Sequence, residues 1–177
     1  MLIKLKINPI KVKKILEKFG YPYTIFVNPK LIDEQAGYVM GWDKLRELAK
    51  KGALIANHSA EHNYLHKKRE NETQSQWRER TKNDILSSQQ RIKEEIGHDY
   101  KYLAYPYGEF NNQLQALVTE LGFIGIGQHS GAVNQHSNIS RLPRFPASGF
   151  YSKLDTLITK LNSTAFTINK LTYKDSV

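Results

Sequence analysis

Apolar and polar residues along this chain follow two periods, and the switches between them predict a series of helices and short strands. From Pro9 to Phe19 the residues Ile10, Ile15, Leu16 and Phe19 recur on one face with lysines between them, and Gly20 follows as a stop. Tyr23 to Val27 is a short β-rich run, closed by the Asn28–Pro29 turn signal. Trp42 to Lys51 reads as an amphipathic helix with Leu45, Leu48 and Ala49 inward and Gly52 at its end, followed by a strand from Ala53 to Ala56. Glu72 to Ile96 is polar except for a stripe of Trp77, Ile85, Leu86, Ile92 and Ile96, the pattern of one long surface helix closed by Gly97. A strand from Lys101 to Tyr105 turns at Pro106–Tyr107–Gly108. Asn111 or Asn112 can cap a helix to Leu121, with Gly122 ending it. Phe123 to Ile126 is a further strand, Gly127 to Gly149 is loop-like, Tyr151 to Leu161 returns to helix, and Ala165 to Ile168 has weak β character.

Helices and strands in alternation predict parallel βα units in a single α/β domain. The length of 177 residues fits one core, and 40% hydrophobic content fits a folded chain. No apolar run approaches the roughly 20 residues of a membrane helix, and Met1 to Pro9 lacks the small-residue cleavage site of a signal peptide.

Composition narrows the chemistry. With no cysteine, a disulfide, a thiolate metal site and a Cys nucleophile are all excluded, so any metal must be held by nitrogen and oxygen. The net charge of +9 could attract nucleic acid or anionic glycan, but the lysines and arginines are scattered. They form no basic block or recognisable binding motif, so no nucleic-acid partner is expected.

The strand Ala53 to Ala56 runs directly into Asn57-His58-Ser59-Ala60-Glu61-His62. If this segment curls into a helical turn, His58 and His62 stand on one face and can chelate a divalent cation. A pair of His at this spacing also arises by chance; its position at a strand end, where parallel α/β folds carry their sites, favours function.

These residues, taken with their neighbours, resemble the polysaccharide deacetylases (carbohydrate esterase family 4, the NodB-homology domain). Trp42 to Gly52, then Ile55-Ala56-Asn57-His58-Ser59 and His62, resemble the family's His-Ser/Thr-x-x-His motif and the helix before it. Gly20 to Val27 is similar to the second barrel strand, and Ala104-Tyr105-Pro106-Tyr107-Gly108 followed by Asn111 is similar to the third motif. Gly125 to Gly131 and Arg141-Leu142-Pro143-Arg144-Phe145-Pro146 resemble a bacterial branch that includes poly-N-acetylglucosamine deacetylases.

The resemblance implies an incomplete, distorted (β/α) barrel and a metal-dependent hydrolase that removes N-acetyl groups from an N-acetylated glycan. It implies His58 and His62 as metal ligands, with zinc the first choice and other first-row ions acceptable to an N/O site. Ser59 would support the histidine loop. Tyr107 would supply the backbone N–H that stabilises the oxyanion, and Tyr105, Pro106 and Tyr107 would line the substrate site. His129 or His136 would be the general acid. Tyr105, Tyr107, Phe110 and Phe145 could stack on sugar rings, but most of them are expected to pack the core and barrel rim. Position 104 is Ala where many members carry an Arg, so Arg144 is the candidate substitute, with loop anchoring its alternative.

One motif departs from the pattern. The family's Thr-Phe-Asp-Asp, which supplies a metal ligand and the base, has no counterpart; the segment Met1 to Ile10 contains no carboxylate, and the first aspartate is Asp33. Either the domain spanning 1–177 is N-terminally truncated, or Asp33, Glu61 or Glu109 reaches the metal in a divergent site. A catalytically inactive homologue that at most binds glycan or metal is therefore the competing expectation. Family members usually act outside the cytoplasm; oligomeric state is not legible here.

Overall fold

The structure is a computed structural model that describes residues 20–145 together with Leu16, Lys18, Asp155, Thr156 and Thr159. Four strands, β1 (Thr24–Val27), β2 (Leu54–Asn57), β3 (Tyr102–Ala104) and β4 (Ile124–Ile126), form a parallel sheet in the order β1-β2-β3-β4. Sequence order and spatial order coincide, which is the progression of a singly wound barrel wall rather than of a doubly wound sheet. The wall is open among the described residues. In register, Thr24 faces Leu54, Asn57 faces Leu103, and Ala104 faces Ile126.

Helices α1 (Pro29–Asp33), α2 (Trp42–Lys50), α3 (Gln74–Ile96) and α4 (Asn112–Glu120) connect the strands. Each begins or ends for a local reason. Thr73 caps α3 through a capping box: its hydroxyl accepts the Gln76 N–H at 3.3 Å, and the Gln76 side chain accepts the Thr73 N–H at 2.9 Å. Gly97, with φ 86°, closes the same helix in the left-handed conformation that costs glycine least. Asn111 caps α4 by accepting the Leu114 N–H at 2.9 Å. The predicted start of α3 at Glu72 shifts inward because Thr73 takes the cap, while the Glu72 carboxylate pairs with Arg80. Asn28–Pro29, predicted as a plain turn, instead opens the short α1, with Pro at a position where its missing N–H costs nothing.

Two apolar clusters hold the helices to the sheet. Ile25, Val27, Leu45, Leu48, Ile55 and Ile92 join β1 and β2 to α2 and α3. Trp77, Ile85, Leu103, Tyr105, Leu114 and Phe123 join β3 and β4 to α3 and α4. Each large apolar side chain buried this way contributes about 1.5–3 kcal/mol. Leu16, helical as its predicted segment requires, packs against the first cluster.

The segment predicted as loop after β4 contains more order than its composition suggests. Ile126 bridges Leu142 in parallel, the Gly125 N–H donates to the Ile139 carbonyl at 2.9 Å, and the Leu142 N–H returns to the Gly125 carbonyl at 2.7 Å. Gly125 allows this approach, since a Cβ there would stand 2.1 Å from the Ser140 carbonyl oxygen. The rest of the helix predicted over Pro9 to Phe19 and most of that over Tyr151 to Leu161 lie outside the described residues, as do Leu2 to Ile7 and Ala165 to Ile168. No described helix is long and apolar enough to cross a membrane.

Candidate active site

Because all four strands run in one direction, their carboxyl ends bring Asn28, His58, Tyr105–Tyr107 and Gly127–His129 to one edge of the sheet. Strand alternation then sorts the residues of β2. Asn57 turns toward α3, where its amide meets the Ile85 carbonyl at 2.9 Å, and the next residue, His58, turns the other way. His58 is almost fully buried, and its Nδ1 lies 2.7 Å from the Ala104 carbonyl oxygen at the end of β3. A carbonyl only accepts, so Nδ1 carries the proton, and in the neutral ring the lone pair is at Nε2.

The rings of His58 and His62 approach edge to face with centroids 4.7 Å apart. They do not reach this contact through the predicted helical turn. Ser59 and His62 have φ of 66° and 61°, so the chain reverses twice through the left-handed region. Such backbone is uncommon outside glycine and persists where its surroundings hold it. Here the Ser59 hydroxyl accepts the His62 N–H at 3.0 Å, Asn57 Oδ1 accepts the Ser59 N–H at 2.8 Å, and Asp84 Oδ1 accepts the Ala60 N–H at 2.9 Å. From β1, Asn28 donates its amide to the carbonyls of both His58 and Ser59. Sequence reading assigned Ser59 to this loop but overlooked Asn28, Asn57 and Asp84. The signal for Asn57 was its strand phase, opposite to His58; the Asp84 signal was a polar residue beside the apolar stripe of α3.

Burial by the loop and helix raises the Asp84 carboxyl above its ordinary range, against the stabilising Ala60 N–H. The other acidic candidates are engaged elsewhere. Asp33 accepts two-pronged hydrogen bonds from Arg91 and one from Trp42 Nε1 at 2.7 Å, and the Arg91 bonds hold its carboxyl below the usual range. Glu61 pairs with Lys30, which lowers its carboxyl, and Glu109 lies 3.4 Å from His66 and 4.0 Å from Lys67. No group of three or more His, Cys, Asp or Glu able to hold a metal occurs among the described residues. The pair therefore fits two positions of an N/O metal site, with the outer hydrogen bond that such ligands use, and the remaining ligands are not supplied by Asp33, Glu61 or Glu109.

Beside the histidines, the Tyr107 ring stands 4.5 Å from His62 and stacks on Tyr64 at 4.1 Å, with 12° between planes. Tyr107 has φ 59° inside the short 3-10 turn Pro106–Gly108, and both tyrosines are partly exposed. Tyr64, unassigned by the sequence, thus extends the aromatic surface next to the pair. Tyr105 departs from the sugar-stacking expectation: its ring is 0% exposed, its hydroxyl donates to the Ser140 carbonyl, and burial pushes that hydroxyl up. Pro106 is buried, and Phe110 lies between Tyr105 at 5.1 Å and His129 at 6.0 Å. His129 is exposed on the loop after β4, and its carbonyl accepts the Arg144 N–H at 3.0 Å. Burial lowers the Arg144 guanidinium below its ordinary value. Phe145 is half-buried. His136 belongs to an exposed turn in which Asn134 accepts its N–H at 2.8 Å.

The sequence model of the polysaccharide deacetylase family matches residues 8–126. Comparison with curated protein sequences finds no match. Among solved structures, the chain is similar to a de-N-acetylase from Aggregatibacter actinomycetemcomitans at 15% identity and TM-score 0.75, covering 90% of this chain and 72% of that one. It is similar to the BpsB deacetylase domain from Bordetella bronchiseptica at 21% identity and TM-score 0.70, covering 81% and 67%. It is also similar to the Streptococcus pyogenes deacetylase PplD, solved with acetate, at 16% identity and TM-score 0.67, covering 75% and 56%. At these identities the likeness is one of fold, and the last comparison spans little more than half of the solved chain.

Proposed function

This chain belongs to the polysaccharide deacetylase family, and on that basis we propose that it hydrolyses N-acetyl groups on a polysaccharide or oligosaccharide, using a divalent ion, zinc first, held by His58 and His62. The observation that carries the reading is the geometry of that pair. The Ala104 carbonyl fixes the His58 tautomer with its lone pair at Nε2, and the two imidazoles meet at 4.7 Å at the carboxyl edge of the sheet. A bound ion would polarise the acetamide carbonyl and lower the pKa of an attacking water.

The chain's own residues have separate tasks in this reading. The Tyr107 N–H donates to the oxygen that gains negative charge when the carbonyl carbon becomes tetrahedral. Tyr64 and Tyr107 flank the sugar with apolar ring surface. His129 gives a proton to the departing amine, and Arg144 adds positive charge to the same edge. Tyr105 and Pro106 act from beneath, by supporting the turn that carries Tyr107.

A second reading is binding without turnover, favoured by the absence of a grouped carboxylate beside the two histidines among the described residues. Acetate release from chitooligosaccharides, measured with and without added zinc, separates the two. Zinc-dependent release that disappears in His58→Ala supports deacetylation. Retention of the oligosaccharide with no acetate released sinks it in favour of binding.

A further inference from the structure

Asn57 is 0% exposed, and all four hydrogen-bonding positions of its amide are filled. Oδ1 accepts the Ser59 N–H at 2.8 Å and the Ser88 hydroxyl at 2.9 Å. Nδ2 donates to the Ile85 carbonyl at 2.9 Å and to Gln89 Oε1 at 3.4 Å. Three of these partners, residues 85, 88 and 89, lie on the buried face of α3, at the three- and four-residue spacing of one helical face. The fourth is the first amide of the histidine loop. Gln89 in turn donates to Asp99 Oδ1 at 3.0 Å and to the Tyr100 carbonyl at 3.3 Å, on the approach to β3.

The consequence is a continuous route from α3 to the second histidine. Asn57 holds the Ser59 N–H, and the Ser59 hydroxyl holds the His62 N–H at 3.0 Å. Asp84, one residue before Ile85, fastens the Ala60 N–H from the same helix. Ser59 and His62 both stand at positive φ, a conformation these residues leave readily unless their surroundings hold it. A polar group buried this deeply is costly unless satisfied, yet an apolar residue at position 57 would have joined the core without a network. The amide's place is explained by what it holds.

We propose that Asn57 is a positioning residue for the His58–His62 pair: through Ser59 it ties the position of His62 to helix α3. The His58 ring is fixed separately by the Ala104 carbonyl, so the spacing of the two rings depends on the bonds that hold the Ser59–His62 turn, the Asn57 connection among them. This inference rests on the two histidines being metal ligands.

The test uses cobalt as a spectroscopic substitute for zinc on the full chain. Wild type and His58→Ala are titrated with Co2+, following the visible band; if wild type shows no band, or His58→Ala binds equally, the ligand assignment itself has failed. Given a wild-type band, Asn57→Asp is compared with Ser88→Ala, which removes one donor to Asn57 Oδ1 while touching neither histidine nor their loop. Asn57→Asp keeps both acceptor positions but loses the two donations to α3, and is expected to bind Co2+ about 10- to 100-fold more weakly with a shifted band. Ser88→Ala is expected to show a smaller loss in the same direction, and it keeps the test decisive if Asn57→Asp does not fold. Folded variants with wild-type affinity and band, whatever their Tm, overturn the proposal, because a purely structural amide would change only stability.

Discussion

His58 Nδ1 donates to the carbonyl oxygen of Ala104, 2.7 Å away, so the last residue of one strand sets the tautomer of the histidine that follows its neighbour. Residues 46 apart in sequence are brought together by the parallel pairing of β2 and β3. Position 104 is Ala where many members of the family carry an Arg, but its backbone carbonyl holds the His58 ring.

Zinc binding should depend on both rings. Isothermal titration is expected to give one weak divalent site in wild type, with affinity at least tenfold lower in His58→Ala and in His62→Ala. Equal uptake by wild type and either variant would remove the pair from the metal site.

Asp33 should be dispensable for metal. Its carboxylate is held by Arg91 and Trp42, so Asp33→Ala is expected to leave zinc affinity unchanged and to cost up to about 1 kcal/mol of stability, as partly exposed ion pairs do. Arg91 lowers the Asp33 carboxyl on folding. Its stabilisation is therefore present above the unfolded value of 3.8 and lost as pH falls through the folded value. Denaturation curves of both proteins should converge in acid; a gap that widens there would contradict the pairing.

Asp84 carries the opposite sign. Burial raises its carboxyl on folding, so ionisation opposes the fold, and that penalty is absent below the unfolded value of 3.8 and grows as pH rises through the folded value. Asp84→Asn retains an oxygen for the Ala60 N–H without the charge. Its Tm is expected to exceed that of wild type at pH 7 and to approach it near pH 4. A variant less stable than wild type at pH 7 would show that the ionised carboxylate contributes more to the loop than its burial costs.

Trp77 and Leu65 tie the chain beyond the histidine loop to α3: Trp77 Nε1 donates to the Leu65 carbonyl at 2.8 Å, with both residues 1% exposed. Trp77→Phe keeps an aromatic ring but leaves that carbonyl with only the long 3.4 Å approach of the Thr81 hydroxyl. A loss of about 1–3 kcal/mol is expected by urea denaturation. No change in midpoint would mean the bond adds little to ring burial.

Gly125 tests the ordered segment beyond β4. An added Cβ would meet Ser140 backbone at 2.1 Å and the Tyr105 hydroxyl at 2.5 Å. Gly125→Ala is expected to destabilise by about 1–3 kcal/mol, the usual range for overpacking, and to increase hydrogen exchange at the Leu142 amide. Wild-type protection there would show that this segment does not rely on close approach.

The sequence by itself determined most of the secondary structure, because strong local signals agreed. The apolar stripe of α3 with Gly97 at its end, and the run Leu54 to Asn57 after Gly52, each carry their own period and stop. It also singled out His58 and His62, since a strand end followed by two imidazoles is visible in one dimension. Only the tertiary structure decided how the pair is made. Left-handed backbone at Ser59 and His62 replaces the predicted turn, because hydrogen bonds with Asn57, Asp84 and Asn28 hold a conformation that local propensity disfavours. The fates of Tyr105 and Asp33 were likewise beyond sequence reading. One ring is buried by the Ser140 segment and one carboxylate is taken by an arginine 58 residues away, and contacts of that kind exist only after the strands have paired.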